Sequence, residues 1–480
     1  MKFVPDSFSD FLRAFPDYKI SRVLDKLRAA DYRRLDHSRQ IYLDYTGGSL
    51  YGESQIKEHF TLLQKLVLGN PHSDNPTSLM STKLVKQAKS AVLDFFHASP
   101  EEYCIVFTAN ASNALKLVGE SYPFVRGSRF LLTSDNHNSV NGIREFAKNC
   151  NAAVSYLEGE PPEMRVNKDK LIAFLKNRKK GNRSSLFAFP AQSNFTGIQY
   201  PLEWIAHAKS SGWDVFLDAA AFVPTNILDL SVWKADFVSI SFYKMFGYPT
   251  GIGCLIARKN ALAKLVRPWF AGGTIWAASV RANDHIFAPE DEAFEDGTVN
   301  YLGIPAVAIG LNMLSKVGVD IIHSRVLILT KWLLQNMQEM THKNGRPLFE
   351  IYGPKDTINR GGTIAFNFLD PEGNIIDERI VEKYANKKNI SLRTGCFCNP
   401  GSGEIVFRLE KKKLAAVFNK ERPVDYDNYL KILGLKSGGA IRLSLGIVSN
   451  FNDVLEFLKF STKFQDTVVK EKNLRKRGHC

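Results

Sequence analysis

Seven short apolar runs separated by helical stretches between Tyr103 and Ala257 constrain this chain more than any other feature. The runs are Ile105–Phe107, Arg129–Leu132, Ala153–Tyr156, Ser185–Phe189, Val215–Leu217, Phe237–Ile240 and Gly253–Ile256. Each is too short for a buried helix, and strand–helix alternation of this kind builds a mostly parallel sheet with helices on both faces. The chain has 480 residues, 44% of them hydrophobic, which is ample for a large core. The expected class is therefore α/β, with a seven-stranded sheet sandwiched by helices and a smaller α+β domain after it. We place a helical arm at residues 1–40, a large domain at 41–305 and the small domain with a basic tail at 306–480. A long helix, Ile304–Val317, leads out of the large domain. Thr363–Phe368, Ser391–Arg393 and Ala440–Leu445 read as strands of the small one.

Open α/β sheets bind ligands beyond the carboxyl ends of their strands, so the polar residues that end each run are the candidates. Lys244 follows Phe237–Ser241 and precedes a turn containing Gly247, Pro249, Gly251 and Gly253. A lone lysine there can simply reach solvent, or it can hold a cofactor aldehyde as a Schiff base. Asp218, which ends the run Val215–Leu217 one unit upstream, favours the second. A carboxylate at one strand tip and a lysine at the next suit pyridoxal 5'-phosphate (PLP), with Asp218 pairing the pyridine nitrogen. The small residues Ala109, Asn110 and Ala111 open a helix after Ile105–Phe107 and let backbone N–H groups approach a phosphate. Ser241 and Tyr243 flank the lysine and are further phosphate donors. His137, after the second run, can stack on the ring and move protons; the alternative is an ordinary loop histidine. Asn194 can bond the ring hydroxyl or a substrate carboxylate. Arg442 can clamp an α-carboxylate or make a surface ion pair.

Leu392–Gly403, reading LRTGCFCNPGSG, carries Cys396 and Cys398 in a glycine-rich stretch. Zinc would need a second ligand pair nearby, and none is present in the sequence around it. A nucleophilic thiol on a mobile loop fits better, with Arg393 close enough in sequence to favour the thiolate.

The segments YLDYTGGSL, GNPHS, FTANASNALKLV, PAQSNFTGIQYPLEWI, ADFVSISFYKMFGYPTGIG, FEDGTVNYL, LRTGCFCNPG and IRLSLG resemble the class V aminotransferase branch of fold-type I PLP enzymes. Within it the chain is most similar to the cysteine-desulfurase-like N-terminal portion of eukaryotic molybdenum cofactor sulfurases, from about Gln40 to Phe460. The resemblance implies a homodimeric PLP enzyme that takes sulfur from L-cysteine as a persulfide and releases alanine. It makes Lys244 the Schiff-base lysine, Asp218 the pyridine partner, His137 the ring-stacking residue and Cys398 the persulfide former. It also places Thr274 at the phosphate of the neighbouring subunit. The acceptor would be a protein or molybdenum cofactor. Members of that family carry a further domain that receives the cofactor. Here the chain ends soon after its last matching segment, so diversion to another PLP reaction, such as C–S lysis, epimerisation or transamination, is the alternative expectation. A non-catalytic scaffold is the third. Gly403 stands where a further cysteine follows in the family, and Ala221 where simpler desulfurases have a ring-hydroxyl glutamine.

The net charge of +14 is spread along the chain, with clusters at Lys176–Arg183 and Lys470–Arg477. No aromatic-interleaved basic motif accompanies them, so we expect no nucleic-acid partner. No apolar run is long enough to span a bilayer, and the N-terminus lacks an apolar signal core. Six scattered cysteines do not make a disulfide framework, which favours a cytoplasmic enzyme without a membrane partner.

Overall fold

The computed structural model describes residues 7–177, 183–266, 270, 272–418, 425–435, 437–469, 474 and 476–477. Most of both basic clusters therefore lies outside the described residues.

All seven expected strands form, as β1 (Tyr103–Thr108), β2 (Arg129–Thr133), β3 (Ala153–Leu157), β4 (Leu186–Pro190), β5 (Asp214–Asp218), β6 (Phe237–Ser241) and β7 (Gly253–Arg258). They make one sheet in the order β1-β7-β6-β5-β4-β2-β3. Pairing is parallel from β6 through to β3, and only β7 runs antiparallel to its neighbours β6 and β1. The residues of β4 and β6 are buried throughout. Both faces of the sheet are thus covered, which is why these strands read as apolar runs rather than alternating ones. The result is the α/β architecture, a mostly parallel seven-stranded sheet, that the runs imply.

The C-terminal part of the chain carries a second, four-stranded antiparallel sheet of β8 (Phe349–Tyr352), β9 (Thr363–Phe368), β10 (Arg393–Gly395) and β11 (Ala440–Ser444), in the order β8-β9-β11-β10. The sequence reading placed one strand at Ser391–Arg393. The chain instead divides there: Ile390–Ser391 pairs in parallel with Ile41–Tyr42, and β10 begins at Arg393. The expected helix Ile304–Val317 forms as Pro305–Val317. Gly318, at φ +89°, ends it, and Val319–Glu339 continues at a bend of 68°. No single described helix is long and apolar enough to cross a membrane, and this bent pair contributes many of its side chains to the core.

The first described helices pack on the C-terminal part of the chain. Phe11 packs against Trp332 and Phe451, with ring centroids 4.9 Å apart in each pair. The buried Arg28 donates to Asp453 at 2.6 Å and to the Val448 carbonyl at 2.8 Å. These contacts brace Ser444–Asp453, the segment that follows β11, against the arm.

Candidate active site

The strand-tip residues converge. A cavity of about 180 Å³ is lined by Asn110, Ala111, Ser112, His137, Asn194, Asp218, Ser241, Tyr243 and Lys244, among others. Each comes from the carboxyl end of a sheet strand or from the turn or helix that follows it, and these strands run in the same direction.

Lys244 is not on the strand tip itself. β6 ends at Ser241, and the lysine sits in a short helix, Phe242–Phe246. Gly247, at φ +78°, terminates this helix; a Cβ there would collide with the backbone of Leu50 and Tyr51. The close approach brings the Ser49 N–H to the Tyr243 carbonyl at 3.1 Å. Burial lowers the Lys244 pKa, and the Arg442 and Arg393 charges push the same way while Asp218 opposes them. An amine so placed gives up its proton more readily than a solvated lysine.

Asp218 is oriented by two donors to Oδ1, the Ala220 N–H and the Ser239 hydroxyl, each at 3.1 Å. The His137 Nδ1 accepts the Ser139 N–H at 3.1 Å. Burial, reinforced by the Lys244 charge, holds its pKa down at about 4, so the imidazole is neutral near pH 7. Two residues earlier, Asp135 is buried, and burial lifts its carboxyl to about 6.

The helix Ala111–Ser121, here α1, opens into the cavity. Its N-cap Asn110 accepts the Asn113 N–H, and the Ser241 hydroxyl accepts the Ala111 N–H at 2.9 Å. Asp218 for a ring nitrogen, Lys244 for an aldehyde, and the α1 N-terminus with the Ser241 hydroxyl for a phosphate make a donor set that fits PLP. At Gly253 a Cβ would collide with the backbone of Asn110, so the cradle depends on this glycine.

Other candidates lie elsewhere. Ala109 lines a separate cavity of about 280 Å³ with Thr108, Lys116, Glu295 and Asn300. Thr274 is fully buried and donates to the Phe270 carbonyl at 3.3 Å, outside its own chain's cavity. Arg442 is no surface residue: it is 3% exposed, and its Nη2 donates to Asp44 at 2.9 Å. Its Nη1 donates to the Asn194 carbonyl at 3.0 Å, while the buried Nε has no partner. Arg393 donates to the same Asp44 carboxylate at 2.7 Å, so its charge is directed there. Asp44 was missed as a site residue in the sequence. Its signal, a carboxylate just beyond the short strand Ile41–Tyr42, is the one that revealed Asp218.

The cysteine stretch departs most from expectation. It is short and fastened rather than mobile. Only four residues separate β10 from the helix Pro400–Val406, here α2. The Asn194 amide donates to the Phe397 carbonyl at 2.7 Å, and the Asn138 N–H donates to the Cys398 carbonyl at 2.7 Å. Asn194 thus spends its amide on this turn as well as lining the cavity. Phe397 lies under the Arg442 guanidinium at 4.8 Å. The Cys398 thiol is free and exposed, whereas burial lifts the Cys104 thiol to about 12 and the Cys254 thiol further.

Residues 41–457 match the family model for aminotransferase class V. The chain is 37% identical over 464 residues to a molybdenum cofactor sulfurase of Bos taurus, covering 91% of this chain and 51% of that protein. It is 36% identical over 484 residues to the one of Solanum lycopersicum, covering 94% and 59%. It thus spans about half to three-fifths of the length of these relatives. Among solved structures, a cysteine desulfurase of Thermococcus onnurineus is similar with a TM-score of 0.75 at 24% identity, covering 92% of this chain and 97% of that one. One of Escherichia coli matches at 0.68 and 20%, covering 92% and 98%. Both likenesses are of fold.

Proposed function

The chain belongs to the aminotransferase class V family, and from its site we propose that it is a PLP-dependent cysteine desulfurase. One observation carries the reading: an exposed free thiol, Cys398, on a turn fastened to two of the loops that bear cavity residues. Lyase, epimerase and aminotransferase chemistry needs no such thiol. The similarity to molybdenum cofactor sulfurases supports the same choice.

The cofactor supplies an aldehyde for Lys244 and a ring that accepts electrons from the substrate α-carbon. Asp218 holds a proton on the ring nitrogen, and the α1 N-terminus with Ser241 holds the phosphate. The neutral His137 presents its face without adding charge. Arg442 receives the carboxylate of L-cysteine, and Lys244 takes the α-proton. The Cys398 thiolate attacks the substrate sulfur. A sulfur–sulfur bond forms, the carbon–sulfur bond breaks, and its electron pair stays on the substrate β-carbon. Protonation there gives alanine, and Cys398 is left as a persulfide. The persulfide passes to an acceptor protein or molybdenum cofactor.

We infer a homodimer as the active form; the resemblance puts Thr274 at the neighbouring subunit's phosphate, but here its side chain is fully buried and its hydroxyl is bonded to the Phe270 carbonyl, so that role is not carried forward. Trp276 and Val280, 75% and 98% exposed on and beside the strand that follows Thr274, support a covering second copy. The thiols of Cys104, Cys150, Cys254 and Cys398 are free, which favours a reducing cytoplasm, whereas Cys396 is disulfide-bonded, against the expectation from the scattered cysteines.

The test compares wild type with Cys398→Ser in PLP-loaded protein given L-cysteine. Wild type should yield alanine and a persulfide located on Cys398 by mass spectrometry. The variant should keep the absorbance change on cysteine addition and lose alanine formation. A variant that still produces alanine or sulfide at the wild-type rate would reject desulfuration through Cys398.

A further inference from the structure

We propose that Asn399 is a positioning residue that presets the Cys398 backbone for attack, an inference that rests on Cys398 being the sulfur nucleophile. Phe397 and Cys398 are consecutive non-glycine residues in the left-handed region, at φ +56° and +53°. Each such residue is unfavourable by itself, and two in succession persist only where the surroundings over-determine them. Asn399 is fully buried and stands next in the chain. Its amide nitrogen donates to the Asp135 carbonyl at 2.7 Å and to the Asn194 Oδ1 at 2.9 Å. Its own Oδ1 caps α2 by accepting the Ser402 N–H at 3.2 Å.

One side chain thereby ties three segments: the turn bearing the thiol, the loop after β2 that carries His137, and the loop after β4 that carries Asn194. Both donor bonds are buried, so losing them leaves acceptors without partners. The packing is close on the same side. A Cβ at Gly401 would collide with the Ser134 carbonyl. The bridge fixes where the thiol stands relative to the cavity without touching cofactor or substrate. Its loss should slow sulfur attack while leaving substrate binding intact.

Asn399→Ser keeps a capping acceptor for α2 but removes both amide donors. In the PLP-loaded variant, the affinity for L-cysteine read from the cofactor absorbance should stay within about twofold of wild type. Single-turnover alanine formation should slow by about tenfold or more. Asn399→Asp, which sets a carboxylate against the same two acceptors, should be slower still. In cofactor-free protein, amide exchange over residues 396–403 and at Asn138 should accelerate more than elsewhere in the chain, with a modest fall in thermal stability from the unpartnered acceptors. Alanine formation at the wild-type rate in Asn399→Ser, with a Cys398 persulfide trapped in wild type, overturns the positioning role alone. An affinity for L-cysteine that falls as far as the rate makes the residue merely structural and also overturns it. A wild type that never forms a Cys398 persulfide overturns the functional reading beneath it.

Discussion

The cavity at the edge of the seven-stranded sheet and the cysteine turn beside the four-stranded sheet contribute to one proposed reaction but are built on different principles. The cavity collects residues that a parallel sheet delivers automatically. Asp218, His137, Asn194 and Ser241 each end a strand or follow one, and strand direction alone sends them to one edge. The cysteine turn has no such scaffold. Phe397 and Cys398 hold left-handed backbone against their own preference, and hydrogen bonds from Asn138, Asn194 and Asn399 surround them. Asp44 joins the two regions, since its carboxylate binds Arg393 at the root of the turn and Arg442 beside the Asn194 loop. A site of this kind gets its reagents cheaply from topology, whereas the placement of its nucleophile depends on particular side chains.

The comparison predicts that damage to the cavity is chemical and damage at the junction is structural. The largest effect belongs to Lys244→Ala. It should abolish the covalent cofactor link that borohydride traps and reduce alanine formation by several orders of magnitude, about 10³-fold or more. Its unfolding midpoint without cofactor should stay near wild type. A pyridoxyl adduct found by mass spectrometry on another lysine would break the assignment.

Next comes Asp44→Ala. It leaves the buried Arg442 without its anion, so the cofactor-free protein should lose about 3 kcal/mol of stability to urea at pH 7. The KM for L-cysteine should rise as the guanidinium loses its anchor. A loss below about 1 kcal/mol would mean that the two regions are not joined through this carboxylate.

The smallest effect is on acid stability. The His137 imidazole binds a proton near pH 6.5 when unfolded but only near 4 when folded. Between those values the unfolded chain holds more protons, so this group's effect is a loss of stability as pH falls through 6.5 toward 4. His137→Asn should therefore lose less stability than wild type between pH 7 and pH 5, read from urea midpoints of cofactor-free protein. Equal losses would show that burial does not hold this imidazole neutral. Asp135 titrates in the same range with the opposite sign but is present in both proteins, so the difference isolates His137.

The sequence by itself determined the sheet and most of the cavity. A strand buried on both faces must be apolar along its length, so the inner strands such as β4 and β6 announce themselves, and the residues after the strands that run the same way inherit a place at the ligand edge. That logic found Asp218, His137, Asn194 and Ser241 from local pattern, and placed Lys244 within a short helix of its true position. It could not separate Ala109 from Ala111, neighbours that line different cavities, because backbone turning over two residues is not written in residue type. Nor could it find what fixes Cys398. A glycine-rich stretch reads as mobile, yet the carbonyls of Phe397 and Cys398 meet donors more than two hundred residues away in sequence. Asp44 and Arg442 lie about four hundred residues apart and meet only after the short strand Ile41–Tyr42 joins Ile390–Ser391. Local sequence encodes which residues prefer strand, helix or turn. Which buried donor meets which distant acceptor is decided only when the whole chain packs, because pairing must satisfy the polar groups that packing removes from water.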